Sequence, residues 1–561
     1  MMKMRYPRLA GLLLSLLAAG CSRTPSEPPA PVQVNIVAIN DLHGYLQANP
    51  WRVSDPQGSQ RTLNLGGIAT LGGMLDQLRK QDPQLLFIGN GDLIGGSPAI
   101  SAMWADEPTL LALHAMGLRL SSLGNHELDA GKVELLRQIN GGCQSPRPRK
   151  ACSFRKDYPG SGFSYLAANL IDTDTGKPLL PAYRIEESHG VKVAFVGAVL
   201  KDVSEVVSAT GMRGLRATDE ADAINRLVPE LKAQGVDAIV AVVHQGGGTP
   251  EPFDQADCSQ LKGPIVEVAQ RLDPAVNALL SAHSHQGYLC KVGNLLVTQG
   301  GSYGHLLTRL TLTISPGAHR VTAITAANLP VDPQRYAPDP AMAALQQEVE
   351  ARSDTVLNAP AGRIAVPLVS SRVEANGESP MGDLISDAQL EQTRPWGAQI
   401  AFMNLGGIRA ELSQAPGEPL TYAQAASVQP FANTLVLADF TGEQIVALLN
   451  QQWQGKGFNP LQVSSGFTYQ WDSARPVGQR VVPQSLRLDG RPVSPKGIYR
   501  VVANAFLAEG GDGFTLFKAG SARQDTGLVD VDALVGYLRT SAELNQSVGQ
   551  AVSAGRIVRL N

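Results

Sequence analysis

Seven short apolar runs rich in Val, Ile and Leu punctuate the chain between Val32 and Asp332. They cover residues 32–39 (VQVNIVAI), 84–89 (QLLFIG), 118–123 (LRLSSL), 191–200 (VKVAFVGAVL), 236–243 (VDAIVAVV), 276–282 (VNALLSA) and 294–299 (NLLVTQ). Runs of this length and composition predict strands, buried in sheets that other layers cover. Between them, apolar spacing predicts helices over 67–80, 108–116, 221–234 and 264–272. Strands alternating with helices specify an α/β domain. Residues 339–357 (DPAMAALQQEVEARSDTVL) predict one amphipathic helix, bounded by a Pro-rich stretch and by Asn358-Ala-Pro-Ala-Gly362. That shift in composition marks a linker. The reading is a first α/β domain over 32–336, a linker helix over 337–358 and a second mixed α/β domain over 359–561.

Ahead of the first strand lie Lys3, Arg5 and Arg8, an apolar run over 9–19, and then Gly20 and Cys21. This is the pattern of a secretory signal, and the run is too short to span a bilayer as a helix. Cys21 directly after Ala-Ala-Gly resembles a bacterial lipobox. The resemblance implies a signal over 1–21, cleavage before Cys21 and lipid on its sulfur. Ser22, where Asp would be the cue for the inner membrane, implies the outer membrane of a bacterial envelope, facing the periplasm or the cell surface. Residues 22–31 (SRTPSEPPAP) are Pro- and Ser-rich and predict a tether. Membrane contact is expected through this anchor alone.

The 561 residues carry 47 basic and 50 acidic side chains, a net charge of −3. That leaves no excess of Lys and Arg to neutralise a nucleic-acid polymer. Of five cysteines, four remain beyond Cys21, an even number suited to an oxidising compartment. Sequence proximity favours the pairs Cys143–Cys152 and Cys258–Cys290. None sits in a Cys-x-x-Cys pair, which argues against a thiolate metal site.

Polar residues cluster where the apolar runs stop. The first run is followed by Asp41 and His43, the second by Asp92, and the third by Asn125, His126, Glu127 and Asp129. Run 236–243 is followed by His244, and run 276–282 by His283 and His285. Asp41 with His43, and His283 with His285, are two apart, so each pair points to one side of an extended segment. Carboxylate, imidazole and amide donors without thiolate suit Zn, Mn, Co, Mg or Fe. The donors are too many for one ion, so two divalent metal ions are expected, bridged by an Asp.

The blocks DLHG, GNGD and GNHE, a strand ending in His, and HSH resemble the calcineurin-like metallophosphatase signature, in the same order over about 250 residues. With Asp129 and a long C-terminal half, the chain resembles the 5′-nucleotidase family over nearly all of its mature length. The resemblance implies a four-layer αββα sandwich for the first domain. It places Asp41, His43, Asp92 and His285 on one metal and Asp92, Asn125, His244 and His283 on the other. It makes His126 and Asp129 the catalytic pair, Asp orienting His and His stabilising charge on the phosphoryl oxygens. Glu127 is expected to serve the turn. Coordination by such ions lowers the pKa of water toward 7, so hydroxide for in-line attack on phosphorus is available at neutral pH.

In the second domain, the blocks Asn404-Leu-Gly-Gly407-Ile-Arg409, Gln429-Pro-Phe431-Ala-Asn433 and Asn504-Ala-Phe506, the last running on to Asp512, match those that build the family's nucleotide pocket. The implied roles are Phe431 and Phe506 stacking on the base, Asn433 at its edge and Asp512 on the ribose hydroxyls. Arg409 and Arg372 are expected on the phosphates, with Asn404 and Gly407 in the same pocket. A guanidinium fork matches phosphate oxygens bidentately. The expected reaction is release of phosphate from nucleoside 5′-monophosphates. Two readings stay open beside it: cleavage of nucleotide pyrophosphates or 2′,3′-cyclic nucleotides, and a surface binding lipoprotein without turnover.

Overall fold

The computed structural model describes Met1 and residues 30–561 apart from 55–59, 209 and 456. All of the signal but Met1, with Cys21, and nearly all of the tether lie outside the described residues. Among the described residues no helix is long and apolar enough to cross a membrane.

Two six-stranded sheets form the first domain. The first runs Arg320–Pro330, Leu306–Ser315, Val32–Ile39, Leu86–Asn90, Leu120–Ser122, Ser164–Leu166. The second runs Gly287–Val292, Leu295–Gly300, Ala278–Leu280, Ala238–His244, Val191–Val199, Tyr183–Ser188. Period-two alternation along each strand separates three apolar layers. Val34, Ile36, Leu86 and Ile88 meet Val193, Phe195, Val240 and Val242 between the sheets. Val37, Ile39 and Phe87 point the other way, onto helices Ile68–Gln81, Glu107–Ala115 and Gly131–Asn140. Ala194, Val196, Ile239 and Ala241 face helices Glu220–Asn225, Val228–Ala233 and Pro264–Arg271. The result is the expected αββα sandwich.

Local chemistry adjusts two sequence expectations. The helix expected over 221–234 is broken in two, because Pro229 has no N–H to donate back to Asn225 and opens a new helix at its first turn. The antiparallel pair Leu306–Ser315 and Arg320–Pro330 was not expected. The first of these alternates Leu310, Leu312 and Ile314 inward with Thr and Arg outward, a pattern that a search for continuous apolar runs passes over.

The linker helix, Pro340–Leu357, begins where Asp339 accepts from Met342 N (2.7 Å) and Pro340 fills the first turn. Met342 and Val349 enter the first domain's core, and Trp104 Nε1 donates to Ser353 Oγ (2.9 Å). The second domain is built on a five-stranded mixed sheet ordered Leu461–Val463, Ile400–Asn404, Ile498–Asn504, Thr434–Thr441, Ser521–Val529. Helices Pro380–Thr393 and Asp530–Glu543 cover one face and helix Gly442–Asn450 the other. Trp453, Tyr469 and Trp471 are core residues beside the latter. Both expected disulfides, Cys143–Cys152 and Cys258–Cys290, are formed.

Candidate active site and metal centre

All seven candidate metal ligands lie at the carboxyl ends of parallel strands. Strands Val32–Ile39, Leu86–Asn90 and Leu120–Ser122 run parallel in the first sheet, and Ala238–His244 and Ala278–Leu280 in the second. Open α/β sheets place ligand sites at this edge. The loops are tied together by backbone: Asp41 N donates to Gly91 O (3.1 Å) and His43 N to Asp92 O (2.9 Å). His283 N donates to the Asp41 carboxylate (3.1 Å), which joins the two sheets. Asp41, His43, Asp92, His283 and His285 all have positive φ, between 48° and 71°. Five non-glycine residues in this disfavoured region, gathered at one site, mark geometry held for function.

Hydrogen bonds fix which imidazole nitrogens face the centre. His43 Nδ1 lies 2.7 Å from Gly95 O and His244 Nδ1 2.9 Å from Asn90 O. A carbonyl only accepts, so each neutral ring carries its proton on Nδ1 and turns an Nε2 lone pair inward, an orientation typical of metal-binding imidazoles. His244 Nε2 then faces Asp92 Oδ2 at 3.0 Å and Asn125 Oδ1 at 3.2 Å. His43 Nε2 lies 3.0 Å from His285 Nε2 and 3.7 Å from Asp92 Oδ2. Ligand atoms of Asp41, His43 and His285, and separately of Asp92, His244 and His283, lie within 4.8 Å of one another. Such convergence of electron-rich atoms fits divalent cations, with Asp92 between the two groups. Electrostatics agree. Burial raises the Asp92 carboxyl, but the imidazoles of His244, His126 and His43 outweigh it and hold it well below the usual range. Burial opposes charge on His244, yet Asp92 and Asp41 push its pKa up to about 10. Positive charge is thus stabilised beside Asp92.

His126 stands at the rim of this centre. Its backbone N donates to Asp92 Oδ1 (2.8 Å), and its Nδ1 meets the Asp129 carboxylate at 3.0 and 3.2 Å. Glu127 serves the turn, as expected. Its oxygens accept from Asp92 N (3.0 Å), Gly124 N (2.8 Å) and Leu93 N (2.8 Å), binding two ligand loops together.

The second domain completes a cleft of about 240 Å³. Asn125, His126, Asp129 and His283 line it from the first domain. Asn404, Gly407, Arg409, Phe431, Asn433, Phe506 and Asp512 line it from the second. Asn404 Nδ2 donates to Asp512 Oδ2 (2.7 Å), and Asn504 Nδ2 to Asn404 Oδ1 (2.9 Å). Burial pushes the Asp512 carboxyl up, against the Asn404 hydrogen bond. Phe431 lies parallel to the His126 ring, centroids 5.4 Å apart, with Arg409 Cζ 5.5 Å from its own centroid. Phe431 thus lies between His126 of the first domain and Arg409 of the second. Arg372 is exposed and is not among the lining residues; its backbone N donates to Ser370 Oγ (3.2 Å). Sequence reasoning did not single out Asn504, Val206 or Ser208, which also line the cleft. Asn504 opens the block that contains Phe506, a position that pointed to it; Val206 and Ser208 carry no comparable sign.

The calcineurin-like phosphoesterase family matches residues 34–287, and the C-terminal domain of 5′-nucleotidases matches residues 360–519. The chain belongs to the 5′-nucleotidase family. A 5′-nucleotidase of Diplobatis ommata is 27% identical over 543 residues, 91% of this chain and 88% of that protein. Endonuclease YhcR of Bacillus subtilis is 28% identical over 537 residues, 94% of this chain, which spans 41% of that longer protein. The crystal structure of a 5′-nucleotidase precursor from Thermus thermophilus superimposes with a TM-score of 0.74 at 26% identity, covering 94% of this chain and all of that one. The order of domains in this chain is therefore that of its family, a phosphoesterase core followed by a 5′-nucleotidase C-terminal domain.

Proposed function

We propose that the protein hydrolyses nucleoside 5′-monophosphates to nucleoside and phosphate, in the cleft between its two domains. The observation that carries this is the lining of one cleft by both sets of residues, the strand-end donors and the Asn404–Asp512 network. Asp41, His43, Asp92 and His285 would hold one divalent cation and Asp92, Asn125, His244 and His283 a second, drawn from Zn, Mn, Co, Mg or Fe. When bound, the cations polarise phosphoryl oxygens and lower the pKa of water.

The chain's own groups do the rest. His126, oriented by Asp129, hydrogen-bonds the phosphoryl group as charge develops there. Arg409 neutralises a second oxygen. Asp512, held by Asn404, accepts from the ribose hydroxyls. Phe506 stacks on the base and Asn433 meets its edge, while Phe431 closes the stack from the phosphate side. We further propose an envelope location, with lipid on Cys21 and residues 22–31 as tether; the signal pattern and lipobox support this.

The test is phosphate release by protein lacking residues 1–21, from AMP, UDP-glucose, 2′,3′-cyclic AMP and an aryl phosphate, with each metal after chelation. Metal-dependent turnover of AMP that disappears in Asp92→Ala is the expected result. Turnover of the aryl phosphate alone would overturn the nucleotide assignment.

A further inference from the structure

A second and larger cavity, of about 580 Å³, adjoins the His126–Phe431 pair. His126, Asp129 and Phe431 line both spaces. Its remaining wall comes from residues 94–106 and from the loop closed by Cys143–Cys152, which contributes Arg147, Arg149 and Lys150.

This loop is built, not merely closed. Arg147 pairs with the buried Glu134 (2.8 Å), and Cys152 N donates to Glu107 Oε1 (2.9 Å). Arg137 joins Glu134 and Glu107 (2.8 and 2.9 Å), so these two carboxylates and two guanidiniums balance. Asp129 is engaged by His126, and Glu127 by backbone N–H groups. What remains facing the cavity is Arg149 and Lys150, opposite Asp106. The Lys150 ammonium has no hydrogen bond or ion pair among the described residues; burial and then Arg147 lower its pKa, against the longer-range attraction of Asp106 and Asp532. Ser97, 1% exposed, lines the same space, and its buried Oγ has no hydrogen-bond partner among the described residues. A buried hydroxyl and a half-buried ammonium, neither with a hydrogen-bond partner among the described residues, both suit an acceptor-rich anion.

We propose that this cavity is a phosphate-binding subsite, with Lys150 and Arg149 supplying charge and Ser97 Oγ a donor. It rests on the nucleotidase reading, because its place beside His126 defines what reaches it. With the nucleoside in the first cleft, this cavity receives a second phosphate linked to the scissile one, or the free phosphate product.

The experiment compares wild type with Lys150→Ala, Arg149→Ala and the double variant, using AMP, ADP and inhibition by inorganic phosphate. A charge-assisted hydrogen bond contributes roughly 1.5–3 kcal/mol, so each lost contact changes binding about tenfold or more. For AMP, kcat/KM should stay within about twofold. A fall of about tenfold or more for ADP in the double variant identifies the second phosphate of the substrate. A similar rise in the phosphate inhibition constant identifies the product. Neither change would overturn the proposal. Should wild type turn over no nucleotide, the nucleotidase reading fails separately. Calorimetric titration with inorganic phosphate still decides the subsite, which requires one binding event of wild type to be lost in the double variant. If Lys150→Ala fails to fold, the exposed Arg149→Glu carries the same comparisons.

Discussion

Replacing Asp129 separates orientation from charge at His126. Both carboxylate oxygens lie within 3.2 Å of His126 Nδ1, with the side chains 13% (His126) and 32% (Asp129) exposed. A hydrogen bond to a charged group contributes about 1.5–3 kcal/mol, and partial exposure reduces this to roughly 1–2 kcal/mol. If the bond strengthens in the transition state, that range converts to a loss of about 5- to 30-fold in kcat. Asp129→Asn keeps an acceptor at the same place and should fall near the lower figure. Asp129→Ala removes acceptor and charge and should reach the upper one. The assay is steady-state AMP hydrolysis at fixed metal, with metal content measured on the same samples. Because Asp129 touches no candidate ligand atom, metal content should not change. A fall of less than twofold in both variants, or a rise in KM at constant kcat, would refute the role assigned to the pair.

Phe506→Ala should raise KM for AMP by about tenfold, since base stacking contributes roughly 1–3 kcal/mol, and leave an aryl phosphate unaffected; equal losses on both would mean the ring only packs against Gly511. Ser353→Ala leaves the buried Trp104 indole N–H without its acceptor and should cost about 1–3 kcal/mol, read by urea unfolding of the first domain. Burial pushes the Asp530 carboxyl up to about 7, above its unfolded value near 3.9. Its stabilising share is complete below about pH 4 and disappears as pH rises through 7, so the second domain should resist urea better at pH 5.5 than at pH 8. Asp530→Asn should flatten that difference, and an undiminished difference would assign it to other groups.

Much of the centre was legible because it is local. Each candidate ligand follows an apolar run within one to four residues, and parallel strands bring their carboxyl ends to one edge whatever the loops between them do. The linker helix was legible from Asp339, Pro340 and its apolar spacing, since capping and first-turn chemistry act over a few residues. Glu127 could be assigned to the turn, but its three backbone partners, two of them from the loop at Asp92, come from the fold.

Relations between distant segments were decided by tertiary packing. Phe431 lies on His126, and Arg372 stands outside the cleft lined by Arg409. Both follow from how the second domain rests on the first across a helix whose Met342 and Val349 are buried in the first domain's core. The basic loop over 143–152 reads as a polar surface insertion. That it walls a cavity beside His126 and Asp129 depends on Arg147 reaching Glu134, 13 residues away. Hydrophobic periodicity specifies which side of a strand or helix is buried, so the sequence by itself determined the layers and the strand-end chemistry. It carries no information on which loop of one domain faces which loop of another, because that is settled by shape and charge complementarity between surfaces far apart in the chain.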